Sequence, residues 1–189
     1  VPQAVGAAWA MKLKKAESIA IGFCGDGATS QPDFHNAMTF AGTFKVPAIL
    51  VCQNNHWSIS VPTSKQTASP TIAAKAHGYG MPGIRVDGND VVAVYDALRQ
   101  CVERARNGLG PSFLEAVTYR IGPHSSSDDP TRYRSDAEVQ LWKARDPLLR
   151  MEKSLRALGL IDEASFSALK RDISAEIEAA VSAVEELPP

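Results

Sequence analysis

Short apolar runs, separated by glycines and polar turns, set the rhythm of this chain. Residues 19–24 and 48–52 are rich in β-branched and apolar side chains and read as buried strands. Residues 84–86 predict a shorter strand and residues 111–119 a longer one. Between the first two runs Phe34, Met38 and Ala41 recur at three- and four-residue spacing, predicting a helix over 31–44 that turns them onto the sheet. A helix over 91–106 turns Val94, Leu98, Cys101 and Val102 inward, with Asp90 as its N-cap and Asn107-Gly108 as its stop. Strand, crossover helix, strand is a βαβ unit, whose right-handed crossover makes the strands parallel. The expected class is α/β, a parallel sheet flanked by helices.

The segments around this core are more polar. Residues 3–15 predict a helix with Lys12, Lys14 and Lys15 at its carboxyl end, where the helix dipole favours cations. Residues 56–64 read as an extended loop, since Pro62 biases Val61 away from helix. A short helix over 71–77 and a turn over 78–83 follow, and Asp87 is expected to stabilise the turn after the next strand. Glu115 in the middle of the longest strand is unexpected and implies a basic partner. Residues 120–135 are too long and too polar for a plain connection, and they begin at a strand end, which predicts a lid. Three helices then run over 137–143, 147–158 and 163–186, the last one amphipathic and packed on the domain or on a second subunit. The expected division is an α/β domain over 1–135, lid included, and a helical extension over 136–189.

Composition removes several classes of function. A hydrophobic content of 44% supports a real core, and 20 basic against 21 acidic residues leave no electrostatic footprint for nucleic acid or a membrane surface. No apolar stretch is long enough to span a bilayer. Cys24, Cys52 and Cys101 lack metal-ligand spacing and read as small core residues of a reducing compartment. Residues 1–11 contain no initiator Met and no signal-peptide layout, and the end at Leu187-Pro188-Pro189 is equally abrupt. Both ends are expected to be cuts in a longer chain.

Candidate chemistry gathers at Gly25-Asp26-Gly27-Ala28-Thr29-Ser30 and at Asn54-Asn55. The βαβ unit brings the Asp26 carboxylate and the Asn55 amide to the carboxyl ends of nearby strands, the edge where open α/β sheets bind ligands. Mg²⁺ takes oxygen ligands, and reaches the protein through one or two side chains while water and phosphates complete its shell. The flanking glycines let the backbone approach a ligand, and the helix starting near Ser30 favours an anion such as a diphosphate. Alone, Gly-Asp-Gly is equally well an ordinary turn; the Asn pair after a second strand makes it specific. Trp57 reads as a core aromatic or as packing on the ligand. His124 is the only histidine both on the candidate lid and beyond a strand end, whereas His35 has no second ligand at helical spacing and reads as solvated or partner-facing.

The frame G-D-G … N-N resembles the fingerprint of thiamin diphosphate enzymes. With N-N-H-W-S-I-S at 54–60, P-T-S at 62–64, I-R-V-D-G-N-D-V at 84–91 and F-L-E-A-V-T-Y-R-I-G-P-H-S-S-S-D-D-P at 113–130, the chain resembles α subunits of the E1 component of 2-oxo acid dehydrogenase complexes. It is most similar to the branched-chain (2-oxoisovalerate) members, from about residue 3 to 186. The resemblance implies oxidative decarboxylation of branched-chain 2-oxo acids with transfer of the acyl group to lipoamide. It implies thiamin diphosphate and Mg²⁺ as cofactors, a β subunit in an α₂β₂ enzyme, and the lipoyl domain of an E2 acyltransferase as partner. Asp26, Asn55 and the Trp57 carbonyl would hold the metal, and Gly25, Gly27, Ala28 and Gln53 the diphosphate side. Ser58 and Ile59 would lie against the thiazolium, and His124 would touch the phosphate and assist acyl transfer. Arg120, Asp128, Tyr133 and Arg134 would order the lid for the lipoyl domain, and Ser125 and Ser135 match positions phosphorylated in mitochondrial relatives. At Gln53 some relatives carry an Arg, so the phosphate contact is weaker here. A bacterial cytoplasm is the expected location, with the mitochondrial matrix as the alternative. The rival readings are an E1 α chain for pyruvate or acetoin, a phosphate-binding α/β module without catalysis, and a purely structural half. A nucleotide site has no support, since neither a Walker lysine motif nor Gly-x-Gly-x-x-Gly is present.

Overall fold

The computed structural model describes residues 1–187; Pro188 and Pro189, at the end of the expected helical extension, lie outside the described residues. Two compact units divide the chain, Val1–Pro147 and Leu148–Pro189.

In the first unit, α1 (Pro2–Leu13) leads to β1 (Ala20–Gly25), a 3₁₀ turn over Asp26–Ser30, α2 (Pro32–Phe44) and β2 (Ala48–Asn54). A two-residue ladder joins β3 (Trp57–Ser58) to β4 (Val61–Pro62), and the single-turn α3 (Thr63–Gln66) comes directly after it. A 3₁₀ segment over Ala73–Tyr79, β5 (Gly83–Asp87), α4 (Val91–Arg106), β6 (Ser112–Val117) and, after the long loop, α5 (Asp136–Lys143) complete the unit. The strands form one parallel sheet in the order β1-β2-β6-β5. The sequence anticipates all four strands and α4 to within a few residues. It does not anticipate the small ladder or α3, and the expected helix over 71–77 is a 3₁₀ segment shifted toward Tyr79.

Alternation along β2 explains how both faces are covered. Leu50 and Cys52 join Phe34, Met38, Ala41 and Phe113 under α1 and α2, while Ile49 and Val51 join Ala97, Cys101 and Leu114 under α4. Side chains such as Phe34 and Met38, at 2% and 0% exposure, each contribute about 1.5–3 kcal/mol by leaving water. Asp90 caps α4 as expected, accepting from the main-chain N–H of Val92 and Ala93. Asp87 stabilises its turn by accepting from Asn89 N at 3.0 Å. α4 stops short of β1, so Ile21 and Phe23 on that edge strand remain exposed.

The division at Pro147 places α5 with the sheet, not with the tail. Trp142 on α5 stacks on Tyr119 just past β6, with ring centroids 5.2 Å apart, and Asn89 Nδ2 donates to Arg145 O at 3.0 Å. The second unit consists of α6 (Pro147–Ala157) and α7 (Glu163–Glu185), the latter opened by a capping box of Asp162 and Ser165. No described helix is long and apolar enough to cross a membrane.

Candidate functional site

β1 and β2 run side by side with Cys24 opposite Cys52 and Gly25 opposite Gln53, so both strands end at the same edge. Asp26 opens the 3₁₀ turn beyond β1, and Asn55 follows the last residue of β2. Pairing between β2 and β6 continues past their ends, through Thr118 N to Asn54 O at 2.8 Å and Arg120 N to Asn55 O at 3.3 Å. The long loop therefore starts beside the Asn pair.

A cavity of about 330 Å³ opens there. Gly25, Asp26, Gly27 and Ala28 line it from the turn, Asn55, Trp57, Ser58 and Ile59 from the segment after β2, and Arg120 and His124 from the long loop. Gln31, which the sequence reading did not single out, also borders it. Gln53 does not: alternation sends it to the side of Ile49 and Val51, where it is exposed. Asp128, Tyr133 and Arg134 lie behind the wall, not on it.

Each part of the wall has its own support. Thr29 Oγ1 donates to Asp26 O at 2.7 Å and Lys75 Nζ donates to Thr29 O at 3.0 Å, which fixes the turn. Gly27 is needed for close approach, because a Cβ there would meet Ser58 Oγ at 2.3 Å. Ile59 occupies the first central position of a two-residue hairpin turn at φ +55°, a conformation that strains a β-branched residue by about 1–3 kcal/mol. Its side chain is 55% exposed at the cavity.

Glu115, the unexpected carboxylate, underlies the Asn pair. It is 1% exposed, and its Oε1 accepts from Asn54 Nδ2 and its Oε2 from Ala73 N, both at 2.8 Å. Its basic partner is Arg85, with Nε 3.7 Å from Oε1. Asn54 Oδ1 in turn accepts from His56 N at 3.0 Å and Thr63 Oγ1 at 3.2 Å. Burial pushes the His56 imidazole below its ordinary range.

Arginines organise the long loop. Arg120 donates through Nη1 to Trp57 O at 3.1 Å, and through Nη2 to Ile59 O at 2.6 Å and Tyr133 Oη at 2.8 Å. Tyr133 passes its proton donor to Asp128 Oδ2 at 2.5 Å, and the same oxygen accepts from His124 N at 2.8 Å. Arg134 bonds the carbonyls of Arg120, Ile121 and Gly122. The main-chain N–H of His124, then the Tyr133 hydroxyl, hold the Asp128 carboxyl below the usual carboxylate range. Partial burial, then Asp128, pushes the Tyr133 hydroxyl up. The Trp57 indole lies against Tyr133, with centroids 5.2 Å apart, so its ring supports the loop while its carbonyl faces Arg120. His35 is half-buried and shares a hydrogen bond with Tyr79 through Nδ1.

A sequence profile of the dehydrogenase E1 component family matches residues 1–189. The chain belongs to this family. It is 54% identical over 157 residues to the 3-methyl-2-oxobutanoate dehydrogenase subunit alpha of Mycobacterium tuberculosis, covering 83% of this chain and 43% of that protein. It is 46% identical over 180 residues to the pyruvate dehydrogenase E1 component subunit alpha of Staphylococcus aureus, covering 95% of this chain and 49% of that protein. A Staphylococcus epidermidis protein of the same name matches to the same extent. The chain thus spans about half the length of the curated relatives it matches.

The family depends on thiamin diphosphate, and the cavity can be tested for fit to it. Among the described residues no cluster of three or more His, Cys, Asp or Glu side chains could hold a metal. On this wall Asp26, Asn55 and Trp57 offer a carboxylate, an amide oxygen and a main-chain carbonyl, an all-oxygen set of the kind Mg²⁺ takes. Asp26 is 1% exposed, and no ion pair to it occurs among the described residues. A buried carboxylate without a cation is costly, and a divalent ion removes that cost. Trp57 O and Asn55 Oδ1, which already accept from Arg120 and from Trp57 N, each retain a second lone pair. Gly25 lines the cavity at an ordinary φ of −84°, and a Cβ there would meet nothing within 4 Å, so the chain itself makes no demand for glycine. A ligand's backbone contact supplies one. The residues fit the group.

Proposed function

We propose that the full-length protein is the α subunit of a thiamin diphosphate-dependent branched-chain 2-oxo acid dehydrogenase. It works with a β subunit as α₂β₂ and passes its acyl group to lipoamide on an E2 lipoyl domain. One observation carries the reading: Asp26, Asn55 and Trp57 border one cavity with a glycine-flanked turn. Free Cys24, Cys52 and Cys101 suit a reducing compartment, the bacterial cytoplasm in this reading.

Asp26, Asn55 and the Trp57 carbonyl would hold Mg²⁺ against the diphosphate, and the backbone of Gly25, Gly27 and Ala28 would cradle it. When bound, thiamin diphosphate supplies the nucleophilic carbon for the 2-keto group and accepts the electron pair released with CO₂. Ile59, on its strained turn, and Ser58 beside it line the same cavity and would lie against the organic part of the cofactor. His124 brings the only imidazole among the lining residues, and its ring nitrogens would hold or move a proton during acyl transfer. Arg120 keeps His124 within reach by tying the loop to the Trp57 and Ile59 carbonyls. The remaining catalytic groups would come from the β subunit.

Pyruvate is the second reading, and it has its own support: the S. aureus match covers more of the chain than the M. tuberculosis match. The test is reconstitution of the full-length chain with its β partner. Thiamin diphosphate is titrated with and without Mg²⁺, and kcat/KM is compared for 2-oxoisovalerate and pyruvate. Mg²⁺-dependent binding with a preference for 2-oxoisovalerate of about tenfold or more is expected. Binding indifferent to Mg²⁺ overturns the donor set, and a preference for pyruvate installs the second reading.

A further inference from the structure

We propose that Gln66 is a positioning residue for Asp26, a neutral clamp that orients the carboxylate while leaving its charge for the metal; this rests on the reading of Asp26 as a metal ligand. Gln66 Nε2 donates to Asp26 Oδ2 at 2.8 Å. It is the only side-chain donor to that carboxylate found among the described residues. The character of the donor matters. A lysine or arginine here would satisfy the buried carboxylate electrically and compete with a cation. An amide fixes one lone pair and cancels nothing, so Asp26 remains under-compensated until a divalent ion arrives.

Gln66 is itself held. It ends the single turn of α3, whose first residue, Thr63, donates its hydroxyl to Asn54 Oδ1 at 3.2 Å and its N–H to His56 O at 3.0 Å. Asn54 is anchored by the buried Glu115. A continuous run of bonds therefore leads from Glu115 on β6 through Asn54 and α3 to Gln66, and it fixes Asp26 beyond β1 relative to Asn55 beyond β2. Outer partners of metal ligands affect metal affinity by about 10–100-fold.

The test uses the full-length enzyme with its β partner and thiamin diphosphate, with Mn²⁺ as probe and the free-ion EPR signal as readout, so no turnover is involved. Gln66→Met keeps the bulk and removes the donor. Mn²⁺ affinity should fall about 10–100-fold while the melting temperature of the metal-free enzyme holds. Gln66→Lys should weaken Mn²⁺ at least as far while holding or raising that melting temperature, because the ammonium takes the place of the ion. Affinity within about twofold of wild type for Gln66→Met overturns the proposal, as does a loss of affinity that only tracks a fall in melting temperature. Asp26→Asn separates the two levels. If it binds Mn²⁺ like wild type, the reading of the site fails; if it loses Mn²⁺ while Gln66→Met retains it, only the clamp fails.

Discussion

The turn that presents Asp26 and the loop that presents His124 border one cavity, yet different physics holds them. The turn sits on adjacent parallel strands above a packed core, and its key carboxylate is 1% exposed. The loop from 120 to 135 has no regular structure except one 3₁₀ turn over Pro130–Arg132. Arg120, Tyr133, Asp128 and Arg134 hold it by part-buried bonds to carbonyls and to one another, with no apolar core beneath them comparable to that under the sheet. Buried construction on adjacent strands gives the Asp26 turn its precision. A polar network of charge-assisted bonds gives a loop that holds its shape and can still be released by modest changes.

Removing the charge of Asp26 tests the first half of that contrast most severely. Asp26→Asn keeps size and one acceptor oxygen. It should weaken Mg²⁺-dependent binding of thiamin diphosphate to the reconstituted enzyme by more than about 100-fold, beyond the range for outer partners. The melting temperature of the metal-free enzyme should not fall, because the substitution relieves a buried charge with no ionic partner. Equal losses of binding and stability would mean that Asp26 is a structural carboxylate.

Glu115→Ala probes the foundation beneath the same turn. It strands the Asn54 amide and the Ala73 N–H, and loss of two buried bonds should destabilise the first unit by about 3 kcal/mol in thermal or denaturant unfolding. Arg85 adds little to that figure, since its side chain is 51% exposed and 3.7 Å away. A change below about 1 kcal/mol would show that the Asn pair is held by strand pairing alone.

These two positions also show what a linear reading can and cannot reach. Asp26 and Asn55 were legible because each follows an apolar run and parallel pairing brings run ends together. Four strands, the three covering helices and the Asp90 cap were legible for the same local reasons. Glu115 was visible only as an anomaly, since its partners lie at 54, 73 and 85 and meet through the strand order β2-β6-β5. Gln66 was invisible: α3 is too short for any periodicity, and its contact with Asp26 spans forty residues. The strained turn at Ile59 gave no signal either, because glycine normally marks such a position. Gln53, which the resemblance put on the diphosphate side, does not line the cavity, because alternation along β2 turns it to the face of Ile49 and Val51.

Tyr133→Phe moves the comparison to the loop. It removes one hydroxyl that accepts from Arg120 and donates to Asp128, and leaves the ring against Trp57. Loss of these two bonds is worth about 2 kcal/mol, so amide exchange over 120–128 should speed up roughly thirtyfold while unfolding of the sheet stays unchanged. Faster exchange in the sheet as well would make the loop part of the core construction.

The smallest effect expected is one of pH, and it follows from the same oxygen. Asp128 Oδ2 accepts from both His124 N and Tyr133 Oη, and these donors hold its carboxyl below the usual range. A depressed carboxyl contributes order that is fully present above its ordinary value, about 3.9, and is lost as pH falls through the lowered one. On the alkaline side Tyr133, pushed above its ordinary value of about 10, remains a donor across the physiological range. Protection of the His124 amide, corrected for intrinsic exchange, should therefore be level from about pH 5 to 9 and decline only below about pH 4. Asp128→Asn should show weaker protection at neutral pH and no acid step. Because Asp128 sits at the surface, salt should shrink the contribution of Arg120 to this step without moving the two bonds Asp128 accepts directly. An acid step that survives in Asp128→Asn would assign the pH response to the core, and the loop would then lose its claim to being held separately from the turn.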